Sequence, residues 1–533
     1  MSERAPKAGA EPPGEGPPAP EEAADAPSQV LRARLDKLHA LRERGVEPYA
    51  YRYERTHTAE AAARRFLEDE EEGRLTESGD GAEVRVAGRI VSWRGHGRSA
   101  FAHVEDASGA VQLYFREDVL GEASYGVLGL LDLGDWLGAG GELFRTRTGE
   151  VTVRVRSWEL LSKSLRPLPF GKTEIDPGSG ERVYHSGFSD LEARYRQRYA
   201  DLAVHPEVRE VFRTRSRVIA ALRRIMDDEG FLEVETPALQ PLYGGATARP
   251  FVTHHHGLEQ TMYLRIADEL YLKRLIVGGL EKVYEIAKDF RNEGLSRMHN
   301  PEFTMLEFYE AFADYEDMMD LVERLFAGVV EEVAGSRRVE YQGTTLSFEP
   351  PFPRVRLLEA LGRALGEPVD SLSDDDLRAR AESLRVPELE GAGRGKLVDK
   401  LFAELVEPTL VQPTFVVDYP VELSPLAKHK RDGSGVVERF ELYASGMELA
   451  NAFSELNDPR EQRRRFEAQA ALRAGGDEEA HEIDEDYVRA LEYGMPPTGG
   501  VGVGVDRLVM IATDQASIRD VLLFPVLRSE DRS

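Results

Sequence analysis

The sequence predicts an α+β protein in which a small all-β barrel precedes one large mixed domain, and three stretches carry that expectation. Between Glu83 and about Leu161 the chain runs through VRVAGRIVSWR, SAFAHVEDASGAVQLYF, DWLGAGGELFRT and EVTVRVRSWELL, alternating runs separated by Gly turns. About five short strands packed this closely predict a small barrel. From about residue 204 onward, helix-period stretches such as VREVFRTRSRVIAALRRIMDDEGF and DYEDMMDLVERLFAGVVEEV alternate with extended ones such as LEVETPAL. The chain closes on GGVGVGVDRLVMIAT (Gly499 to Thr513), an alternating Val/Gly strand that turns at Asp506 into a helix.

The elements follow in order. Residues 1–27 are rich in Ala, Pro, Glu and Gly and predict a disordered tail. Residues 28–70 form a helical segment that starts near Ser28, with Val30, Leu31, Leu35, Leu38 and Leu41 as its apolar stripe. Arg32, Arg34, Lys37, Arg42 and Arg44 give it a basic, exposed face. The barrel occupies 80–162 and a linker 163–203, whose RYRQRY end predicts an interdomain helix. Gly171-Lys172-Thr173 imitates the end of a phosphate loop, but Arg166 stands where the first glycine is required, so that reading is rejected. Residues 204–533 form the large domain, with an acidic helical insertion over about 355–408.

Composition sets limits. With 533 residues, 41% hydrophobic and 31% charged, the chain has the makeup of a globular protein of two or three domains. No apolar run reaches membrane-spanning length, and the N-terminus lacks the apolar core of a secretory signal. The absence of cysteine excludes disulfides, thiolate zinc sites and a thiol nucleophile, and fits a cytoplasmic address. A net charge of −28 argues against bulk electrostatic binding of nucleic acid, while leaving room for a local basic face.

The chemistry concentrates in FRNEGLSRMHNPEFTMLEFYEAFADY (Phe290 to Tyr315). Two strands joined by a short loop are predicted here. Arg291 and Glu293 share one face of the first; Phe303, Glu307 and Tyr309 share one face of the second, opposite Thr304, Leu306 and Phe308. A fixed cation, carboxylates, an aromatic plate and a phenol on one face predict a site for a charged nucleotide and a charged small molecule, because unpaired core charges are costly. In ERFELYASGMELANAFSELNDP (Glu438 to Pro459) a hairpin turning near Ala444 and Ser445 sets Glu441 opposite Glu448. Opposed like charges destabilise a sheet unless a divalent cation bridges them, and two carboxylates suit Mg2+; the plain alternative is a pair of exposed glutamates. Asn451, Phe453 and Glu455 share a face beyond them. Gly500, Gly502 and Gly504 lie on one strand face, where glycine marks close approach of a ligand or backbone. Arg507 follows in the first helical turn, placed to lie over an adenine ring and reach phosphate. In the barrel, Phe101 offers a stacking face, and Gln112, between Val111 and Leu113, a base-edge amide; the alternative is an ordinary barrel core.

Taken together, these segments resemble the class II aminoacyl-tRNA synthetases. IMDDEGFLEVETPAL, with Pro237 at its turn, is similar to motif 1, the Phe290 to Tyr315 stretch to motif 2, and GGVGVGVDRLVMIAT to motif 3. RYRQRYADL, GGATARPF, RIADELYLKRL, FRNEG, HNPEFTM and NAFSELNDP, in that order, resemble the lysyl-specific members, and neither HIGH nor KMSKS occurs. The resemblance implies ATP-dependent activation of L-lysine and transfer to tRNA(Lys), in a homodimer, with Mg2+. It implies that Arg291 and Arg507 are catalytic, and that Arg291, Glu293, His299, Asn300, Phe303, Glu441 and Arg507 bind ATP. Gly245, Glu269, Arg291, Glu307, Tyr309, Asn451, Phe453 and Glu455 would bind lysine, Glu441 and Glu448 the metal, and Phe101, Gln112 and Glu150 the anticodon. A ligase with a protein acceptor and an inactive tRNA-binding relative are the rival readings; the barrel speaks against the first and the full arginine–carboxylate set against the second. One departure is Met298, where relatives often carry arginine, with Arg297 one place earlier.

Overall fold

The computed structural model describes residues 29–175, 182–387, 389–474 and 483–529, so the tail predicted over 1–27 lies outside the described residues. The chain forms two compact units, Met1–Ser189 and Asp190–Ser533.

In the first unit β1 (Asp80–His96), β2 (Ser99–Glu105), β3 (Ala110–Arg116), β4 (Trp136–Arg145) and β5 (Val151–Ser162) close a barrel in the order β1-β2-β3-β5-β4. Period-two alternation sends Ala100, Ala102 and Val104 inward, where they meet Ile90, Leu113, Phe115, Leu137 and Val153. At Gly141 a Cβ would overlap the Arg154 carbonyl, so the close approach of β4 and β5 admits only glycine there. The helix Ala59–Glu71, capped by the Thr58 side chain, lays Ala62 and Phe66 against the barrel core.

The helix Gln29–Glu43 buries Leu38 and Leu41 but leaves Val30 49% exposed. Its basic face is smaller than the sequence predicts. Arg34 lies one turn before Leu38, on the buried side, and donates to the carbonyls of Leu133, Ser164 and Arg166. Lys37 pairs with Asp132 at 2.6 Å. Gly171-Lys172-Thr173 leads into β6 (Lys172–Ile175), which pairs with β7 (Arg182–His185) as a two-stranded ribbon, not into a strand-to-helix loop.

The second unit begins at Asp190, fourteen places before the predicted boundary at 204. The helices Leu191–Arg196 and Arg198–Val204 belong to it because Arg198, fully buried, donates to the carbonyls of Arg519, Leu522 and Leu523 and pairs with Asp201 at 2.7 Å. Its strands are β8 (Leu232–Glu233), β9 (Leu239–Gln240), β10 (Val252–His255), β11 (Gln260–Leu264), β12 (Lys282–Phe290), β13 (Glu302–Ala311), β14 (Arg338–Tyr341), β15 (Thr344–Ser347), β16 (Arg354–Arg356), β17 (Thr414–Pro420), β18 (Val436–Ala444), β19 (Met447–Ser454) and β20 (Thr498–Gly504). Eight form the main sheet in the order β16-β17-β18-β19-β20-β13-β12-β8, antiparallel except for the outermost pair at each edge.

That sheet has two unlike faces. Leu306 and Phe308, Phe440 and Leu442, Ala450 and Ala452, and Val501 and Val503 pack under the helices Pro206–Asp228, Tyr315–Ala334 and Val505–Ala512 as the main core. The alternate residues of the same strands face the other way and carry the polar chemistry. The predicted insertion is helical, with helices Leu357–Leu365, Asp374–Ser383 and Arg394–Leu405 sharing a core with Val416, Val437 and Tyr443. Arg198→Met should leave Asp201 and three carbonyls short of a donor and lower the unfolding free energy by about 3–5 kcal/mol. A denaturation midpoint equal to that of the unaltered chain would show that this anchor does not hold the unit together.

Candidate active site

On the polar face lies a cavity of about 380 Å³. Its wall includes Gly245, Glu269, Arg291, Glu293, His299, Asn300, Phe303, Glu307, Tyr309, Glu441, Glu448, Asn451, Phe453, Glu455 and Arg507, so every site residue predicted for the large domain opens on one space. Met298 is also in that wall, whereas Arg297 is not.

One end of the cavity is built to receive positive charge. Glu307 and Tyr309, two apart on β13, both face inward, and the Tyr309 hydroxyl donates to Glu307 Oε2 at 3.2 Å. Glu455 follows β19, its backbone N–H held by the Thr498 carbonyl at 2.8 Å. Gly500 on β20 makes room for them, since a Cβ there would overlap Glu455 Oε1 and the Tyr309 ring. Gly245, at φ +90°, similarly leaves space 3.1 Å from the Glu269 Cβ. Burial and the nearby charges of Asp289 and Glu269 push the Glu307 carboxyl well above the usual range.

Lys273, which sequence reasoning missed, sits behind this wall. It is 0% exposed, and its ammonium is bonded by Glu269 and Glu455, with the Phe453 ring 5.4 Å and the Tyr309 ring 5.9 Å away. Burial works to lower its pKa, but the two carboxylates overcome that and hold it above the ordinary lysine value. Its signal was available: Glu269 and Lys273 stand at i, i+4 on the helix Glu269–Val277.

At the other end the structure corrects two expectations. Arg291 and Glu293 are not on a strand face, because β12 stops at Phe290. The Arg291 N–H bonds the Pro301 carbonyl at 2.9 Å and the Asn292 N–H the Arg249 carbonyl at 2.8 Å, which turns the chain out of the sheet. The Arg291 guanidinium stands 5.0 Å from the centroid of the Phe303 ring, a cation–π contact on the plate predicted for a base. His299 bonds Ser296 Oγ through Nδ1 at 2.9 Å, and its Nε2 lies 3.4 Å from Arg507. Burial, then the charges of Arg507 and Arg291, lower its pKa. Asn300 spends its amide internally, donating to the Glu302 carbonyl at 2.6 Å and accepting from the Val526 N–H at 3.2 Å.

The second correction concerns Glu441 and Glu448, which are not cross-strand partners. Ser445 and Gly446, at φ 52° and 70°, make the two-residue turn, pairing Ala444 with Met447 and Tyr443 with Glu448. A bulge then shifts the register, so that Leu442 pairs with Ala450 and Glu441 with Asn451. Leu449 is the extra residue and turns into the core beside Ala450. Both glutamates nonetheless reach the cavity.

Glu441 is buried, taking hydroxyl donors from Tyr419 at 2.7 Å and Tyr443 at 2.6 Å on Oε2 and the Arg439 guanidinium on Oε1. This leaves Oε1 a spare lone pair. Glu448 is partly exposed, with Arg507 3.4 Å from its Oε2. Burial raises the Glu441 pKa, and the neighbouring Glu448 charge adds to that against Arg439. The spare lone pair on Glu441 Oε1 and the partly exposed Glu448 carboxylate make an oxygen-only donor set, which fits Mg2+. Arg439 was missed by sequence reasoning, although it shares a strand face with Glu441 two residues on and also bonds Asn451 Oδ1 at 3.0 Å.

In the barrel, Phe101 stacks on Tyr114 with ring centroids 4.4 Å apart. Gln112 is 9% exposed, not the open side chain predicted. Its amide donates to Glu150 Oε2 at 2.7 Å and accepts from Thr152 Oγ1 at 2.8 Å, because both neighbours also line that part of the barrel wall. Glu150 also bonds His103 Nε2 at 2.7 Å.

Comparison with known proteins agrees with this arrangement. Residues 190–528 match the family described as tRNA synthetases class II (D, K and N), and residues 84–161 match the OB-fold nucleic acid binding domain. A lysine--tRNA ligase of Carboxydothermus hydrogenoformans is 51% identical over 95% of this chain and 99% of its own length. The lysine--tRNA ligase of Moorella thermoacetica is 52% identical with the same coverage of both, and that of Shouchella clausii is 49% identical over 94% of this chain and 97% of its own. Similarity at that level over nearly the whole length leaves one conclusion: the chain belongs to the class II tRNA synthetases and, within them, to the family of lysine--tRNA ligases.

Proposed function

We propose that this chain activates L-lysine with ATP and transfers it to the 3′ end of tRNA(Lys). The observation that carries the reading is the acidic end of the cavity, where Glu307, Tyr309 and Glu455 converge. An ammonium on an aliphatic stem satisfies them; a neutral or acidic side chain would leave buried acceptors unpaired or repelled. Gly245 and Glu269 take the α-ammonium, with Asn451 and Phe453 beside the stem.

In the first half-reaction a lysine carboxylate oxygen attacks the ATP α-phosphorus in line, and the bond to pyrophosphate breaks. Arg291 holds both carboxylate and α-phosphate and offsets the charge that builds on the phosphoryl oxygens. Glu293, His299, Phe303 and Arg507 position the adenine and phosphates, with Asn300 bracing that wall. Glu441 and Glu448 would hold Mg2+, whose chemistry is to neutralise phosphate charge. The adenylate carbonyl is then attacked by the terminal adenosine hydroxyl of tRNA, releasing AMP. No covalent bond to the enzyme forms, so positioning carries the rate. Phe101, Gln112 and Glu150 meet the anticodon, the last two as one hydrogen-bonded unit. A homodimer built through the motif 1 segment, working in the cytoplasm, completes the proposal. Among the described residues no helix is long and apolar enough to cross a membrane.

Lysine-dependent pyrophosphate exchange with ATP is the direct test; a pure chain inert in it with Mg2+ present would refute the reading. Glu455→Gln should raise the lysine KM about a hundredfold, as expected when one partner of a buried charge pair is lost, and shift the ATP KM only severalfold. Equal shifts in both would misplace the pocket. Gly500→Ala should act in the same direction by displacing Glu455 and Tyr309, and a variant with unchanged lysine KM would contradict the role given to that gap. Removing the stacking face with Phe101→Ala should weaken charging at limiting tRNA about tenfold, measured beside pyrophosphate exchange to separate the two half-reactions.

A further inference from the structure

Next to the cavity lie two carboxylates, Asp268 and Asp289, that the proposed reaction leaves unexplained, gathered with Glu307, which it uses. Asp289 stands on β12 opposite Phe303, Asp268 directly precedes the helix Glu269–Val277, and Glu307 lies on β13. One oxygen from each lies within 4.8 Å of those of the other two, and all three residues are buried. Asp268 and Asp289 are both 0% exposed, and neither carboxylate has a hydrogen-bond donor among the described residues. They also lie outside the wall of the lysine cavity, so a substrate ammonium at Glu307 does not reach them.

The local charge does not balance. Arg265 is in ionic contact with Asp268 at 3.0 Å and Asp289 at 3.5 Å, but it also serves Glu285 at 2.7 Å. Arg291 acts on Asp289 from farther off, and Lys273 is taken by Glu269 and Glu455. Four carboxylates, at 268, 285, 289 and 307, therefore share two guanidiniums. Buried ionised carboxylates persist only when paired or ligated to metal.

We propose that Asp268, Asp289 and Glu307 bind a divalent metal cation, separate from the one that accompanies ATP. The donor set is oxygen alone, as Mg2+ and Ca2+ require. Ligands at about 2.3–2.6 Å from a Ca2+-sized ion can lie up to about 5 Å apart across it, which covers the observed spacing, and Mg2+ needs a slight contraction. The rival occupants are protons: without an ion, burial and the charges of Asp289 and Glu307 push Asp268 up to about 10.

Crystals of the full chain soaked in MnCl2 without nucleotide decide between them. An anomalous Mn2+ peak among the three carboxylates is the expected result. No peak there, or a peak confined to Glu441 and Glu448, overturns the proposal and leaves protons as the neutralising agent. In solution, Asp268→Asn with Asp289→Asn should weaken nucleotide-free Mn2+ binding by more than about tenfold, and undiminished binding would refute the assignment. Should that double variant fail to fold, the diffraction experiment on the unaltered chain still gives the answer.

Discussion

The acidic end of the cavity depends on one buried ammonium. Glu269 and Glu455 are both almost wholly buried; burial raises the pKa of each, and the Glu269 charge adds to the rise at Glu455. Lys273 bonds both, which ties the helix Glu269–Val277 to the end of β19 and works against burial by favouring the charged form of each carboxyl. Breaking such a pair is far more costly than the pair is worth as a stabiliser, because the orphaned charge stays buried. The arrangement also rehearses recognition. Carboxylates with aromatic rings alongside already enclose one amine permanently, and Glu307, which the Lys273 ammonium does not pair with, keeps acceptor capacity on the cavity side for a second.

Everything else in the site follows from the two-faced sheet. Helices cover one side with Leu306, Phe308, Val501 and Val503, so the interleaved residues have no apolar surface to join and must find polar work. Glycine at 500 is part of the same logic: the strand gives up a side chain so that Glu455 and the Tyr309 ring can occupy its space. The sheet is thereby narrowed in side-chain bulk where the charged groups are densest.

Much of this was legible in the sequence because strand parity is a local rule. The inward set Phe303, Glu307 and Tyr309, the set Asn451, Phe453 and Glu455, and the glycines of β20 all follow from alternation within one strand. What alternation could not give was anything that depends on a second segment. Arg34 looked like surface charge until the carbonyls of Leu133, Ser164 and Arg166 came within its reach. Gln112 pointed the predicted way but met Glu150 and Thr152. The chain left the sheet at Arg291 because the Pro301 carbonyl took the Arg291 N–H and the Arg249 carbonyl the Asn292 N–H. Arg198 pulled the start of the large unit back to Asp190 through contacts more than three hundred residues away in sequence.

The bulge at Leu449 has a further implication for how this hairpin can change over time. In an uninterrupted strand Glu448 would share its side with Ala450 and Ala452 and point under the helices; the one extra residue returns it to the side of Asn451. Side chains here can drift so long as the number of residues between Leu442 and Asn451 is kept. A single insertion or deletion in that short span would turn a carboxylate into the apolar layer, so lineages should show variation in spelling at this loop and constancy in its length.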